Sequence, residues 1–428
     1  MKHILLISLT FLIKSTFAQN PWVPTNSPVM SRYDDIFFIS PDTGWAAGNG
    51  GAAQILHTID GGTTWSVQKT ITASYMRSVE FANKNIGFAG SLESGGQNVF
   101  FKTTDGGITW TDISSVITGT NRGICGICCV NTSITYAVGV YSTPSYVMKT
   151  IDGGNTWTQI NMGNYAKSLV DVQFTDANNG YVTGQSNINS EGAVILKTSD
   201  GGVTWTKVYT SNIDGEYVWK IQNLDGINWF ACIEGVGGGG GIINNVFIKS
   251  TDGGVTWITK PVGPGHYLQG IGFINSQKGW TGNQELFETN DGGDTWAQIN
   301  TNQGGSDAFN RFQRLNTTTA YFSSNIIHKL GGVSTGVKSV TATSEKPKWL
   351  TVYPNPTKDE VSYKLDLPNK TMLVTRLFNP KNEIIYENVY QKEKGTHHLK
   401  IDKKLPSGIY MLYIMFNEHV ECEKVIIE

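Results

Sequence analysis

The chain has few of the features that mark metal, nucleotide or nucleic-acid sites. Its 428 residues carry a formal net charge of only −2, so general electrostatic attraction to nucleic acid or acidic lipid is not expected. The seven histidines are spread without metal-ligand spacing, and neither a Ser/His/Asp elbow nor a phosphate-binding loop occurs. We therefore expect no metal, no cofactor and no nucleic-acid partner.

Cysteine is also scarce, and its distribution argues against a disulfide framework. The number is odd and three of the five lie within five residues: Cys125, Cys128, Cys129, Cys232 and Cys422. The Cys125-x-x-Cys128 spacing resembles half of a redox or metal motif, but no second pair and no histidine lie nearby. We interpret these cysteines as small apolar core residues of a strand over Gly123–Val130.

Long apolar runs are absent except at the N-terminus. Ile4–Ile13 is about ten residues long, too short to span a bilayer. It follows Lys2 and His3, and small residues at Thr16 and Ala18 suit a cleavage site. These features predict a signal peptide over residues 1–18, cleavage after Ala18, and no membrane span in the mature protein.

Glycine is abundant, with 49 residues, and it belongs to a repeated turn. The pattern Thr/Ser-x-Asp-Gly-Gly-x-Thr-Trp occurs six times, at Thr58–Trp65, Thr103–Trp110, Thr150–Trp157, Thr198–Trp205, Ser250–Trp257 and Thr289–Trp296. Its period of roughly 40–50 residues is typical of a propeller blade of four strands. The glycines permit the positive φ of a tight hairpin between the third and fourth strands.

An apolar inner strand and a Gly-aromatic step, such as Gly44-Trp45, precede each turn. Seven such units occur, the last without an Asp turn, and they predict an all-β, seven-bladed propeller over residues 19–333. Trp22 has no inner strand of its own, so we expect its segment to pair near Ile326–Leu330 and close the ring. Recurrence once per blade predicts a structural role for the six aspartates: Asp60, Asp105, Asp152, Asp200, Asp252 and Asp291.

This pattern resembles the Asp-box (BNR-type) propeller group over about residues 20–335. The repeat combined with a Gly-Trp step is most similar to the photosystem II assembly and stability factor family. It is also similar to xyloglucanase-type glycoside hydrolases and to the sortilin ectodomain. The motif is specific for the fold but not for an activity, since propellers serve many functions.

The composition changes near the C-terminus. Residues 334–348 have no periodic pattern and predict a linker, and 22 of the 80 residues in 349–428 are charged, against 46 of the preceding 348. Alternating runs in 349–428 predict a small Ig-like β-sandwich. Its landmarks are Val352–Thr357, Leu405–Tyr410 and the terminal Lys424–Ile427. They resemble the C-terminal sorting domain of the type IX secretion system of Bacteroidota, which implies export to the cell surface or medium; an adhesive Ig-like module is the alternative.

The propeller face opposite the Asp turns is the predicted ligand-binding face. It carries the long loops Ser91–Asn98, Tyr141–Tyr146, Gln185–Gly192 and Glu234–Asn245. Cations and aromatics cluster there at the entries to the inner strands: Arg32, Tyr75, Arg77, Arg122, Tyr165, Lys167, Tyr217, Lys220, His266, Tyr267 and Arg311. Such groups suit anionic, sugar or peptide ligands, although they could simply lie along blade edges. Replacing Arg77 and Arg122 with alanine is expected to abolish binding with little change in melting temperature.

These observations favour a binding protein, secreted or attached to the outer cell surface, that recognises a protein or glycan partner and engages the type IX machinery through residues 349–428. The alternative is an Asp-box glycoside hydrolase, xyloglucanase- or sialidase-like. It would need two carboxylates roughly 5–10 Å apart, and the inner strands offer Asp34, Asp35, Glu80 and Asp171. However, a xyloglucanase normally has two propellers, and the sialidase tripeptide Arg-Ile-Pro does not occur here. A purely structural surface protein is the third interpretation.

Overall fold

The computed structural model describes the chain in segments. They are residues 22–72, 74–92, 98–119, 123–139, 144–235, 243–265, 268–299, 309–331, 350–358, 361–367, 370–379, 384–401, 405–416 and 419–428. The predicted signal peptide and linker lie outside these segments. The chain divides into two compact units, Met1–Thr335 and Gly336–Glu428.

Seven antiparallel four-stranded sheets form the first unit, which is a seven-bladed β-propeller. The inner strands of blades 1 to 7 are Arg32–Phe38, Tyr75–Phe81, Gly126–Cys129, Ala166–Phe174, Glu216–Asn223, Gly270–Phe273 and Arg311–Arg314. The second strands are Gly44–Asn49, Gly87–Leu92, Thr135–Gly139, Gly180–Ser186, Trp229–Gly235, Gly279–Gly282 and Ala320–Ser323. The third strands are Ala53–Thr58, Phe100–Thr103, Tyr146–Thr150, Ala193–Thr198, Ile243–Ser250, Leu286–Thr289 and Ile327–Leu330. The outer strands of blades 1 to 6 are Ser66–Ile71, Thr111–Asp112, Thr158–Asn161, Thr206–Thr210, Ile258–Gly265 and Ala297–Ile299, and a 3₁₀ turn spans Ser114–Val116.

The ring closes as the sequence predicts. Consecutive inner strands contact each other in order, and that of blade 7 contacts that of blade 1. The N-terminal strand Trp22–Pro24 is the outer strand of blade 7, with Trp22 opposite Leu330 and Pro24 opposite His328. The Trp22 ring lies 5.0 Å from Trp280 and 4.8 Å from Phe322, both edge-on. The last blade is therefore completed by the first strand of the chain.

Aromatic stacking joins neighbouring blades. The aromatic residue near the start of a second strand lies flat on the last residue of the next inner strand, as with Trp45 on Phe81 at 3.6 Å and Tyr136 on Phe174 at 3.5 Å. In blade 5 this residue is Phe230, which stacks on Phe273 at 3.6 Å. The equivalent position lies one residue later than the Asn228-Trp229 step predicts, because Trp229 itself takes the place of the glycine.

Each Asp turn is held by its own side chains, as blade 3 illustrates. Asp152 accepts hydrogen bonds from the hydroxyls of Thr150 at 2.8 Å and Thr156 at 2.6 Å, and from the Thr156 amide at 2.9 Å. Gly153 and Gly154 have φ of 72° and 82°, which favours glycine. The Gly153 amide donates to the Ser133 carbonyl in the turn between the first two strands. The Asp turns therefore lie at the end of the propeller where the inner strands finish.

Two antiparallel sheets form the second unit. One has the order Leu350–Val352, Val361–Leu367, Gly395–Ile401; the other has the order Ile384–Lys392, Thr371–Phe378, Gly408–Phe416, His419–Ile427. A buried core that includes Tyr363, Leu377 and Leu412 lies between them. The Asn355 side chain bonds to Lys424 and Ile426 main chain, so the first landmark is joined to the terminal strand.

Candidate functional site

Four inner strands carry a β-bulge at the same place, and the bulges shape the central channel. The extra residues are Asp34, Arg77, Val170 and Trp219, in blades 1, 2, 4 and 5. A bulge breaks the regular alternation and re-aims the side chain of the extra residue. Three of these residues form a polar and aromatic layer near the entries to the inner strands, which we call the upper tier.

The upper tier is built around the Asp34 carboxylate. Asp34 Oδ1 pairs with Arg77 Nη1 at 2.7 Å and with Arg32 Nε at 2.8 Å, and Asn49 donates to Oδ2 at 2.8 Å. The Arg77 guanidinium also lies over the Trp219 ring, 4.9 Å from its centroid. Two predicted site cations are therefore fixed on one buried carboxylate.

The network continues to other blades through Gln269. Arg32 Nη1 donates to Gln269 Oε1 at 2.6 Å, and Gln269 Nε2 donates to Glu234 Oε1 at 2.7 Å. Burial raises the pKa of Glu234. Tyr75 stands beside this network with 39% of its surface exposed, and the Arg77 guanidinium lies 6.0 Å from its ring centroid. The mouth of the channel thus combines the buried ion pairs around Asp34 with an exposed aromatic ring.

A second layer, the middle tier, consists of Asp35, Asp171, Lys220 and Arg311. The first three directly follow the extra residues of blades 1, 4 and 5, and Arg311 begins the inner strand of blade 7. Arg311 Nε pairs with Asp35 at 3.0 Å, and Arg311 Nη1 pairs with Asp171 at 3.1 Å. Lys220 Nζ is 3.8 Å from Asp171. Burial raises the pKa of Asp35 and lowers that of Lys220. Arg311 thus bridges carboxylates from two blades across the channel.

The third layer, the lower tier, consists of Glu80, Cys128, Gln173, Gln222 and Gln313. Most of these side chains bind the main chain of the next blade: Glu80 accepts from the Cys129 amide at 2.8 Å, and Gln222 accepts from Phe273 N and donates to Phe273 O. Gln313 makes the same pair of bonds with Phe38, and Cys128 Sγ accepts from the Phe174 amide at 3.2 Å. Burial raises the pKa of Glu80 to about 8. The lower tier therefore ties adjacent blades together.

The remaining predicted site residues lie in different surroundings. Lys167 is exposed, and Tyr165 and Tyr217 are half-buried at the entries of blades 4 and 5. Arg122, His266 and Tyr267 lie outside the described residues, as do parts of three of the four long loops. The fourth loop is fully described, and there Glu191 pairs with Lys207.

The four carboxylates considered for hydrolysis all have partners in the channel. Asp34 binds two arginines, and Asp35 and Asp171 share Arg311. Asp35 Oδ2 also accepts from the Val79 amide at 3.0 Å, and Asp171 Oδ2 accepts from the Ile221 amide at 3.0 Å. These bonds join each carboxylate to a neighbouring blade. A role in connecting the blades therefore explains where the carboxylates lie.

Sequence reasoning missed several members of the site. No sequence pattern points to Asn49, Gln269 and Glu234, because an isolated amide or acid carries no signal for a partner far along the chain. The bulge positions could not be predicted either. A two-residue alternation assigns each side chain to one face of the strand and takes no account of an extra residue. Among the described residues, no group of His, Cys, Asp and Glu side chains is arranged to hold a metal ion.

Comparison with known families agrees with the two-part architecture. Residues 14–143 match the model of the photosynthesis system II assembly factor YCF48, and residues 351–428 match the secretion system C-terminal sorting domain. No curated protein matches the chain. The sorting domain indicates export through type IX secretion to the cell surface or the extracellular space. Within the described segments, no helix has the length and apolar character needed to cross a membrane.

Solved structures support the fold. A YCF48 bound to D1 peptide superposes with a TM-score of 0.55 at 16% identity, covering 74% of this chain and 99% of that one. YCF48 from Cyanidioschyzon merolae gives 0.52 at 17% identity, covering 72% and 98%. An ancestral GH74 enzyme gives 0.52 at 12% identity, covering 95% of this chain and 64% of that one. The chain is thus an Asp-box seven-bladed propeller resembling the YCF48 assembly-factor family, followed by a type IX secretion C-terminal sorting domain.

Proposed function

We propose that the exported propeller is a binding protein that recognises a protein or glycan partner at the mouth of its channel. The observation that carries the proposal is the exposed Tyr75 ring beside the fixed Arg32–Asp34–Arg77 network. Aromatic faces give a large contact area at low conformational cost, and a preorganised ionic base reduces the entropy lost on binding.

An extended peptide is the partner that we favour. Arg32 keeps part of its guanidinium exposed, and Lys167 and Tyr217 extend the rim around the mouth. Guanidinium and ammonium groups suit the carbonyls and carboxylates of a peptide, while tyrosine packs against its side chains. One similar solved structure is a YCF48 with a bound D1 peptide, which supports peptide recognition as the mode to test first.

A glycoside hydrolase is the weaker candidate, because hydrolysis needs one carboxyl to act as an acid while another acts as a base or nucleophile. In this channel Asp34, Asp35 and Asp171 are neutralised by arginine. They also accept hydrogen bonds from the main chain or from Asn49, which gives each of them a structural role. Turnover of β-glucans or sialosides that disappears in Asp35→Asn would nevertheless reverse this ranking.

Tyr75→Ala tests the binding proposal. Peptide and glycan arrays on the mature chain first supply a ligand, and its affinity is then measured for the wild type and the variant. Loss of a central aromatic contact is expected to weaken binding by roughly 10-fold or more, about 1.4 kcal/mol per factor of ten. The melting temperature is expected to stay nearly constant, because the ring is partly in solvent already.

Ile151→Ala is the matched control. Ile151 is 67% exposed and lies in an Asp turn at the opposite end of the propeller, so its truncation is expected to leave binding intact. Arg77→Ala is a poor probe by comparison, because Arg77 is buried on Asp34 and Trp219 and its loss should lower stability as well. Unchanged affinity in Tyr75→Ala would reject the mouth of the channel as the binding site.

A further inference from the structure

A cavity of about 210 Å³ lies in the channel between the middle and lower tiers. A single water needs only ~10–15 Å³, so the cavity has room for a small organic molecule. The middle-tier residues Asp35, Asp171 and Lys220 are buried, whereas Gln173, Gln313 and Arg314 are half-buried. Solvent therefore reaches the cavity from the end that carries the Asp turns, opposite the mouth described above.

Several side chains that line this cavity keep donor groups without a hydrogen-bond acceptor among the described residues. Lys220 is 7% exposed at its side chain, and its ammonium has no hydrogen-bond partner among the described residues, the nearest carboxylate oxygen being 3.8 Å away. Arg314 donates from Nη1 to the Leu224 carbonyl at 3.2 Å, but its buried Nε has no partner within the described segments. A buried donor without an acceptor is costly, so the cavity favours a molecule that supplies one.

Gln173 is the third such donor. It occupies the lower-tier position of blade 4, where Gln222 and Gln313 of other blades bind the next inner strand through both amide atoms. No hydrogen bond of the Gln173 amide is found among the described residues, although it lines the cavity. Its amide is thus available to a ligand, unlike the two glutamines at equivalent positions.

Three cations line the cavity, namely Lys220, Arg311 and Arg314. Asp35 and Asp171 pair with Arg311, and Asp225 interacts electrostatically with Arg314. Glu80 also lines the cavity, but burial raises its pKa to about 8, which leaves it largely uncharged at neutral pH. The charged groups of the lining itself are therefore mainly cationic, which favours an anionic ligand.

The rest of the lining combines three amide side chains with six apolar residues. The amides are Gln222, Asn223 and Gln313, and the apolar residues are Ile36, Phe37, Val79, Ile221, Ile271 and Phe312. Pockets for drug-sized ligands are usually ~300–1,000 Å³, so this cavity suits a smaller molecule.

We propose that the Asp-turn end of the channel binds a small monocarboxylate, whose carboxylate accepts hydrogen bonds from Lys220, Gln173 and Arg314 while its apolar part contacts the channel wall. This site is separate from the partner-binding mouth, and neither proposal depends on the other. It would make the channel a small-molecule site as well as the axis of the propeller.

The test uses butyrate as the probe and butyramide as its uncharged counterpart. Calorimetry and thermal denaturation on the full mature chain at constant ionic strength are expected to show saturable binding of butyrate. Butyramide, which has the same shape without the charge, is expected to bind at least 10-fold more weakly. Equal responses to the two probes, or binding of phosphate in preference to butyrate, would overturn the carboxylate assignment.

Two variants test whether Lys220 and Gln173 form the butyrate-binding site. Lys220→Met removes the ammonium while keeping most of the side-chain volume, and Gln173→Glu adds a negative charge at a half-buried position; each is expected to weaken butyrate binding at least 10-fold. Lys102→Met, at a lysine that bonds to Asn155 near an Asp turn, is the control and should bind like the wild type. If Lys220→Met does not fold by far-UV circular dichroism, Gln173→Glu decides, and wild-type affinity in a folded variant rejects the proposal.

Discussion

One position of the inner strand performs the same task with different chemistry in different blades. Gln222 and Gln313 each use an amide to donate to and accept from the next blade. Cys128 and Glu80 take the same position and accept the equivalent main-chain amide. Burial raises the pKa of Glu80 to about 8, which favours the protonated carboxyl at this position.

Glu80→Gln is therefore expected to remove a pH dependence of stability. The folded pKa of about 8 exceeds the ordinary value of 4.5, so the stability contributed by the protonated group is complete below pH 4.5 and is lost as pH rises to about 8. At ~1.4 kcal/mol per unit, the variant should gain roughly 3–4 kcal/mol over the wild type between pH 5 and pH 8. Urea denaturation at four pH values measures this difference.

The reverse substitution is the control for that experiment. Gln222→Glu places an ionisable carboxyl where both amide atoms are used, since Gln222 accepts from Phe273 N at 2.6 Å and donates to Phe273 O at 2.9 Å. It is expected to destabilise the protein more at pH 8 than at pH 5. Parallel stability curves for Glu80→Gln and the wild type would show that Glu80 is ionised throughout this range.

At the scale of the strand, the sequence predicts where strands occur better than it predicts which face of the sheet each side chain occupies. The third-strand run Val194–Lys197 and the terminal-unit run Val361–Leu367 are observed as strands because their apolar patterns are long and bounded by turns. The inner strands of four blades depart from the pattern at a shared bulge position, and that of blade 4 has a second irregularity between Ala166 and Ser168. Because a single extra residue exchanges the two faces of a strand, the sequence could not assign which residues enter the channel.

The closing strand gives the test at this scale. Trp22 is 1% exposed and packs edge-on against Trp280 and Phe322, so Trp22→Ala leaves a large cavity in blade 7. A loss of about 3–5 kcal/mol of unfolding free energy is expected. Val23→Ala in the same strand is the control, because Val23 is 36% exposed, and it should change stability by less than ~1 kcal/mol. Similar small losses in both variants would mean that the ring does not depend on this strand.

At the scale of the whole molecule, the two compact units have separate cores and separate tasks. The sorting domain at residues 351–428 indicates type IX export, while the propeller carries the channel. A chain truncated after residue 348 is expected to remain inside the cell envelope and to keep the melting temperature of the propeller. Cell fractionation measures export, and thermal denaturation of the purified proteins measures the melting temperature. Export of the truncated chain would show that the tail is not required for export.

The sequence by itself determined the seven repeats, the hairpins at the Asp turns, closure by Trp22 and the sorting tail, because each depends on local spacing, turn chemistry or the count of repeats. The tertiary structure alone decided which polar groups meet in the channel. Arg32 and Gln269 are 237 residues apart, and Arg311 and Asp171 are 140 apart, yet both pairs are in hydrogen-bond contact. The radial arrangement of seven blades brings one position from each repeat to a common axis, and the bulges then select which side chains point into it.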